Sequence, residues 1–240
     1  MNNKQRMFTE KLHKITDRIF YMVHQPEVDR PMLVYIRGEK YALAVDAGYS
    51  AHHVEDFYGL LEQEGLSLPD FTVITHWHYD HTYGMHRTAG CCIAHEKTNE
   101  FLREEMRKSL EPGYVDFMKK EDLHFAKEFE GLDEVTIVPA QLEFANKLQL
   151  DLGGLTAEIF HTTAPHSEDS VCIYIPEEKV LFLGDSICPD FFNSCYLDKE
   201  KLAALVKMIE EKDCRYCILS HEEPLTKEDL LEYLYGELKK

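Results

Sequence analysis

Six consecutive positions carry most of the chemistry that can be read from this chain: His76-Trp77-His78-Tyr79-Asp80-His81 places three imidazoles and a carboxylate side by side. They follow Phe71-Thr-Val-Ile74, an apolar and β-rich run bounded upstream by Pro69-Asp70, which reads as a short buried strand. A spacing of two puts His76 and His78 on one side of an extended backbone, whereas a helical zinc motif needs a spacing of four. Asp80 continues that side, and His81 joins only if the chain turns, for which Gly84 provides. The expected product is a pair of adjacent sites, with His76 and His78 on one metal and Asp80 and His81 on another. Imidazole nitrogen and carboxylate oxygen are ligands that zinc and similar divalent ions take. The competing reading, a histidine-rich surface loop, does not account for this density of ligand types directly after a buried strand.

Three later residues of ligand type also follow apolar runs. His166 comes after the run ending near Phe160, Asp185 after Val180-Leu-Phe-Leu-Gly184, and His221 after Cys217-Ile-Leu-Ser220. A sheet can bring the ends of these runs to the edge that carries residues 76–81. Asp46, in Ala44-Val-Asp-Ala-Gly48, ends a strand where a carboxylate can reach that edge; the alternative is that it caps a turn.

The elements that must position these residues form an α/β pattern. Strand-like runs cover residues 11–16, 18–23, 32–37 and 41–46, with Gly38-Glu39 as a hairpin turn. Ser50 can cap a helix whose Val54, Phe57, Tyr58 and Leu61 recur at helical spacing, ending at Gly65; His52 and His53 are read as surface residues of its first turn. A short strand is expected over 91–94, and a charge-rich helical insertion over about 96–134. That insertion is read as a lid over the site or a contact in a homo-oligomer, the alternative being a solvated helical excursion with no role in the chemistry. Strands are then expected over 135–138, 148–152, 155–160, 171–175 and 180–183, with Asp198 and Thr226 opening two final helices. With no repeat or linker, residues 1–240 read as one domain.

Composition sets outer bounds. With 240 residues and 44% hydrophobic content the chain can bury a core, and its net charge of −18 argues against binding nucleic-acid phosphates. No apolar run reaches the roughly 18 residues that a spanning helix needs, so no membrane partner is expected. The first residues lack the apolar core of a secretory signal, which favours the cytoplasm. Seven cysteines, an odd number in a chain of this size, read as reduced, and Cys214-x-x-Cys217 as buried strand residues.

In these ordered landmarks, Asp46, His76-x-His78-x-Asp80-His81, His166, Asp185 and His221, the sequence resembles the metallo-β-lactamase superfamily of metal-dependent hydrolases. The resemblance implies a four-layer αββα sandwich with the metals at one edge. It implies two divalent ions, zinc first, with iron or manganese as other candidates. His76, His78 and His166 would hold one ion, Asp80, His81 and His221 the other, and Asp185 would bridge them. A bridging hydroxide would attack a small ester, thioester, amide or phosphodiester substrate. Asp80 would orient the hydroxide, and Asp46 would fix a ligand histidine.

The chain also departs from the family pattern. Tyr83-Gly84 stands where a Gly-Gly pair is common, so an aromatic ring is expected to narrow the mouth of the site. The true zinc β-lactamases have Cys where Asp185 stands and typically a Lys three positions later, where this chain has Cys188. At most weak β-lactam hydrolysis is therefore expected. The alternative function on the same fold is a mononuclear iron-dependent oxidoreductase of the persulfide dioxygenase kind. Phe191, Phe192 and Tyr196 are candidates to line the substrate pocket, and His86 and His161 are candidates to touch a metal ligand.

Overall fold

The computed structural model describes residues 11–240, so the N-terminal stretch read above for a secretory signal lies outside the described residues. Seven strands make the first sheet in sequence order: β1 (His13–Lys14), β2 (Ile19–Met22), β3 (Leu33–Arg37), β4 (Ala42–Val45), β5 (Phe71–Val73), β6 (Cys91–His95) and β7 (Leu142–Phe144). Strands β1 to β4 pair antiparallel, and β4 to β7 pair parallel. The second sheet runs β13-β12-β11-β10-β9-β8. Its strands are β8 (Lys147–Asp151), β9 (Thr156–His161), β10 (Val171–Ile175), β11 (Val180–Gly184), β12 (Tyr216–Leu219) and β13 (Leu225–Thr226).

Apolar residues fill both faces of the central strands, which is why those strands read as continuous hydrophobic runs rather than alternating ones. In β3, Val34 and Ile36 face the second sheet, while Leu33 and Tyr35 face helix α1 (Ala51–Gln63). In β10 and β11, Val171, Ile173, Val180 and Phe182 face the first sheet. Cys172, Leu181 and Leu183 meet helices α6 (Lys199–Glu211) and α7 (Lys227–Lys239). Helix, sheet, sheet and helix thus stack as an αββα sandwich. Ser50, Asp198 and Thr226 cap α1, α6 and α7 by accepting first-turn N–H groups, as expected from their positions.

The insertion is helical as the sequence suggests, with α3 (Glu96–Lys108), α4 (Tyr114–Glu121) and α5 (Leu123–Glu128). Two expectations fail, and one strand is unforeseen. Residues 135–138 form no strand; Ile137 is buried and Val135 and Val138 pack beneath the insertion, so their apolar character serves packing rather than pairing. The strand that does extend the sheet, β7, is largely exposed and offers no apolar run to detect. His53 is fully buried, with Nδ1 accepting the Tyr49 N–H at 3.2 Å, because the turn at Gly48 folds over it.

A buried ion-pair knot ties the β2–β3 connection to two helices. Arg30 donates to both oxygens of Glu128 at 2.8 Å and to Asp56 at 3.1 Å, and Glu128 also accepts from the Ser50 hydroxyl. Removing the guanidinium would leave the Glu128 carboxylate buried without its cation, a loss of about 3–5 kcal/mol. Arg30→Ala should lower the urea midpoint accordingly, and Arg30→Lys should recover only part of it, since an ammonium cannot make the bidentate fork. An unchanged midpoint in Arg30→Ala would show that the knot contributes nothing net.

Candidate metal centre

The strands end together. Because β4 is parallel to β5 and β11 is parallel to β12, Asp46, residues 75–76, Asp185 and His221 all emerge from C-terminal strand ends. The β9–β10 connection adds His166 at the same edge. The two sheets are stitched there by main-chain hydrogen bonds, Val171 N–H to Thr75 O at 2.8 Å and Met32 N–H to Ser220 O at 2.6 Å. Gly184 sits where they touch: its φ is +56°, and a Cβ would lie 2.8 Å from the Thr75 Cβ. Any side chain there would force the edges apart and carry Asp185 with them.

Just after His78 the chain turns into the one-turn helix α2 (Tyr79–Thr82), which swings Asp80 and His81 toward the second sheet. Two groups of ligand-type atoms result. His166 Nε2 lies 3.2 Å from His76 Nε2 and 3.1 Å from His78 Nδ1. In the second group, His81 Nε2 and His221 Nε2 each lie 3.2 Å from Asp80 Oδ2, and 3.5 and 3.3 Å from Asp185 Oδ2. Asp185 Oδ2 is also 3.9 Å from His166 Nε2, so a single carboxylate oxygen faces both groups. All seven residues expected from the sequence therefore meet at one edge.

The outward nitrogens of four histidines are already committed. Thr75 N–H donates to Asp46 Oδ1 at 2.7 Å, and the Thr75 hydroxyl donates to Asp46 Oδ2 at 2.9 Å. That hydroxyl is thus left as an acceptor for His76 Nδ1 at 3.1 Å. His81 Nδ1 donates to Asp46 Oδ2 at 2.9 Å, His166 Nδ1 to the Pro189 carbonyl at 2.9 Å, and His221 Nδ1 to Asp29 Oδ1 at 3.1 Å. Each bond turns an Nε2 inward, and in His76 and His166 that nitrogen carries a lone pair. Lone pairs of His76 and His166 then face one another, and His81 Nε2, buried without a hydrogen-bond partner, faces two carboxylates. A cation relieves the repulsion in the first group, and in the second it would take the place of protons opposite two carboxylates, so the residues fit divalent ions.

Electrostatics point the same way. Burial, reinforced by the neighbouring imidazoles, holds His76 well below the usual histidine range and His78 down at about 3, so both are neutral donors. In the second group burial opposes charge, yet the carboxylates prevail. Asp80 and Asp185 raise His81 and His221 well above their usual values, and the histidines hold both carboxyls well below theirs. Without a metal these imidazoles therefore carry protons, which a metal must displace. Zinc added to metal-free protein near neutral pH should release protons, seen as a dependence of calorimetric heat on buffer ionisation enthalpy. Heat independent of the buffer would contradict the protonated state.

Some expectations need correction. Tyr83 does not narrow the mouth: it is buried, its hydroxyl lies 2.6 Å from that of Tyr114, and its ring packs near Phe125 and Phe129 under the insertion. His161 stacks on His95 and His86 bonds the Tyr83 carbonyl, so neither touches a ligand. Phe191, Phe192 and Tyr196 are all more than half exposed. Phe191 lies against His166, and Phe192 lies against both His78 and Trp77.

Sequence reasoning missed Thr75 and Asp29. Asp29 lies in the β2–β3 connection at φ +54°, and hydrogen bonds from His221 and His24 hold its carboxyl well below the usual range. Nothing local marks its tie to the centre, since His221 is 192 positions away. Asp29→Ala should weaken zinc at the four-residue group about ten- to a hundredfold while sparing the three-histidine group. Chelator competition resolves the two affinities, and equal losses at both would contradict the arrangement.

A sandwich of this layering, with two groups of inward-facing imidazoles and carboxylates at one edge, defines an α/β fold with a candidate metal centre. The sequence profile of the Metallo-beta-lactamase superfamily matches residues 31–221, and the chain belongs to that family. Among solved structures, a metallo-beta-lactamase from Pontibacter korlensis superposes with a TM-score of 0.69 at 17% identity, over 96% of this chain and 99% of that one. A metallo-beta-lactamase from Hirschia baltica gives 0.64 at 16% identity, over 95% and 97%. The stereoselective inverting sec-alkylsulfatase Pisa1 from Pseudomonas sp. gives 0.71 at 12% identity, covering 95% of this chain but 41% of its own length. At these identities the likeness is one of fold. The comparison with curated proteins found no match. Among the described residues no helix is long and apolar enough to cross a membrane.

Proposed function

We propose that this protein is a dinuclear metal-dependent hydrolase acting on a small ester, thioester, amide or phosphodiester. The observation that carries the reading is the position of Asp185 Oδ2, within reach of His166 on one side and of His81 and His221 on the other. We assign His76, His78 and His166 to one ion, Asp80, His81 and His221 to the second, and Asp185 to both. Zinc is the first candidate for this mixture of imidazole and carboxylate, with iron and manganese behind it. Bound ions would supply Lewis acidity and a water-derived nucleophile usable near neutral pH.

The chain's own residues position that chemistry. Asp46 orients His81 directly and His76 through Thr75, which locks the tautomers that leave Nε2 free. Asp80 is assigned to orient the attacking water, since its carboxylate is the ligand-type acid of the α2 turn and remains partly open to solvent. No side-chain nucleophile is required. The partner is a small molecule in the cytoplasm, with neither nucleic acid nor membrane involved.

Metal analysis coupled to a substrate panel tests the reading. Purified protein should approach two ions per chain. Asp185→Asn should weaken both sites, whereas His221→Ala should chiefly deplete the second. Hydrolysis should appear with activated esters, thioesters or phosphodiesters, whereas oxygen uptake by iron-loaded protein with a persulfide would favour the oxidoreductase alternative. Reconstituted, folded protein that holds only a trace of metal would overturn both.

β-Lactams should be poor substrates. After Asp185 the chain runs Ser186-Ile-Cys-Pro-Asp190, with no base to grip a ring carboxylate. The absence of one charge-assisted hydrogen bond costs about 1.5–3 kcal/mol, or roughly ten- to a hundredfold in kcat/KM. Steady-state rates with nitrocefin and a carbapenem, set against the ester panel, measure the difference. Lactam turnover near the top of the panel would refute this specificity.

A further inference from the structure

Beside the three-histidine group opens a cleft of about 390 Å³, between the turn that carries the candidate ligands and the insertion. Its walls are the rings of Trp77, Tyr79, Tyr114, Phe117 and Phe192, with Met118. The volume falls in the range of small-molecule sites. The cleft borders the candidate centre through two of its walls: Trp77 and Phe192 lie 5.1 Å apart, and each ring is within 5.0 Å of the His78 ring. A group lodged here therefore touches the neighbours of a candidate ligand.

The tyrosine hydroxyls of the walls are already engaged. The Tyr79 hydroxyl donates to Asp122 at 2.5 Å, and the Tyr114 hydroxyl donates to Glu105 at 3.0 Å. The rings are thus what these residues present to an occupant. Lys108, the cation of the lining, sits 2.7 Å from Glu105 and 3.0 Å from Glu104, so its charge is already matched. Glu105 and Glu111 add negative charge to the lining, in a chain of net charge −18. An anionic occupant finds repulsion here and no unmatched base.

Two large aromatics, Phe117 and Phe192, stand 58% and 63% exposed. Exposed aromatic surface on opposing elements is covered most favourably by another flat ring, which gains stacking geometry in addition to apolar burial. We propose that the cleft is a substrate subsite for an uncharged aromatic group, and that the substrates are aryl esters or thioesters whose reacting carbonyl lies at the metal centre. The subsite stands on the cleft alone; the ester class rests on the hydrolase reading above.

The experiment separates the two. Trp77 is the single tryptophan of the chain, so its emission reports occupancy of the cleft without turnover. The probes are 2-naphthol and its anionic counterpart 2-naphthoate, titrated into metal-replete and metal-free full-length protein. 2-Naphthol should change Trp77 emission saturably in both forms and bind more tightly than 2-naphthoate. Phe117→Asp, at an exposed position and checked for unchanged metal content, should weaken 2-naphthol by about tenfold. Phe192→Ala provides a second variant that adds no charge. In turnover, the ratio of kcat/KM for 2-naphthyl acetate over methyl acetate should fall by a similar factor in Phe117→Asp. Absence of saturable binding, equal affinity for the anion, or undiminished binding in both variants would overturn the subsite. Binding as described with no hydrolysis of any ester supports the subsite and refutes the ester class. Hydrolysis without aromatic preference refutes the subsite and leaves the hydrolase standing.

Discussion

The carboxylate of Asp46 is the interaction on which the candidate centre depends. It accepts from the Thr75 N–H, from the Thr75 hydroxyl and from His81 Nδ1, so one buried anion sets the path of the chain after β5 and the orientation of rings in both groups. Asp46 itself is held at φ +63°, a conformation that non-glycine residues adopt at a cost, with its N–H bonded to the Val73 carbonyl. Such strain persists only where surrounding contacts over-determine it. Here the parallel pairing of β4 with β5 does so, because it brings the two strand ends side by side.

From that point the architecture follows from how the sheets meet. Imidazoles and carboxylates can converge only if the first sheet delivers residues 76–81 and the second delivers His166, Asp185 and His221 at matched height. The main-chain bonds from Val171 to Thr75 and from Met32 to Ser220 set that height, and the bare Cα of Gly184 allows the approach. The apolar core between the sheets supplies the free energy of association, while these polar contacts decide the register.

The insertion relates to the centre through aromatic rings rather than ligands. Tyr49 stacks on Tyr79, Tyr79 and Tyr83 face Phe125, and Phe125 stacks on Phe129, so α5 is anchored to the turn that carries the candidate ligands. Tyr79 extends the anchor by bonding Asp122, the cap of α5. This is why Tyr83 lies inside the structure instead of at the mouth. With its underside anchored, the insertion turns Tyr114 and Phe117 of α4 toward Trp77, and a cleft forms against the centre.

Local chemistry determined a good deal in the sequence alone. The spacing of His76, His78, Asp80 and His81, and the ligand types placed just after apolar runs, were legible because strand ends and metal ligands each have a local signature. Helix caps at Ser50, Asp198 and Thr226 were legible for the same reason. The rest depended on contacts between distant segments. Asp29 is a residue of a polar turn until β2–β3 lies against His221, and β7 is an exposed segment until β6 offers it an edge. His53 is a first-turn histidine until the Gly48 turn buries it, and Phe192 is a loop residue until Trp77 and His78 stand beside it. In each case the deciding energy is burial or pairing with a partner far away in the chain, and no local pattern encodes that.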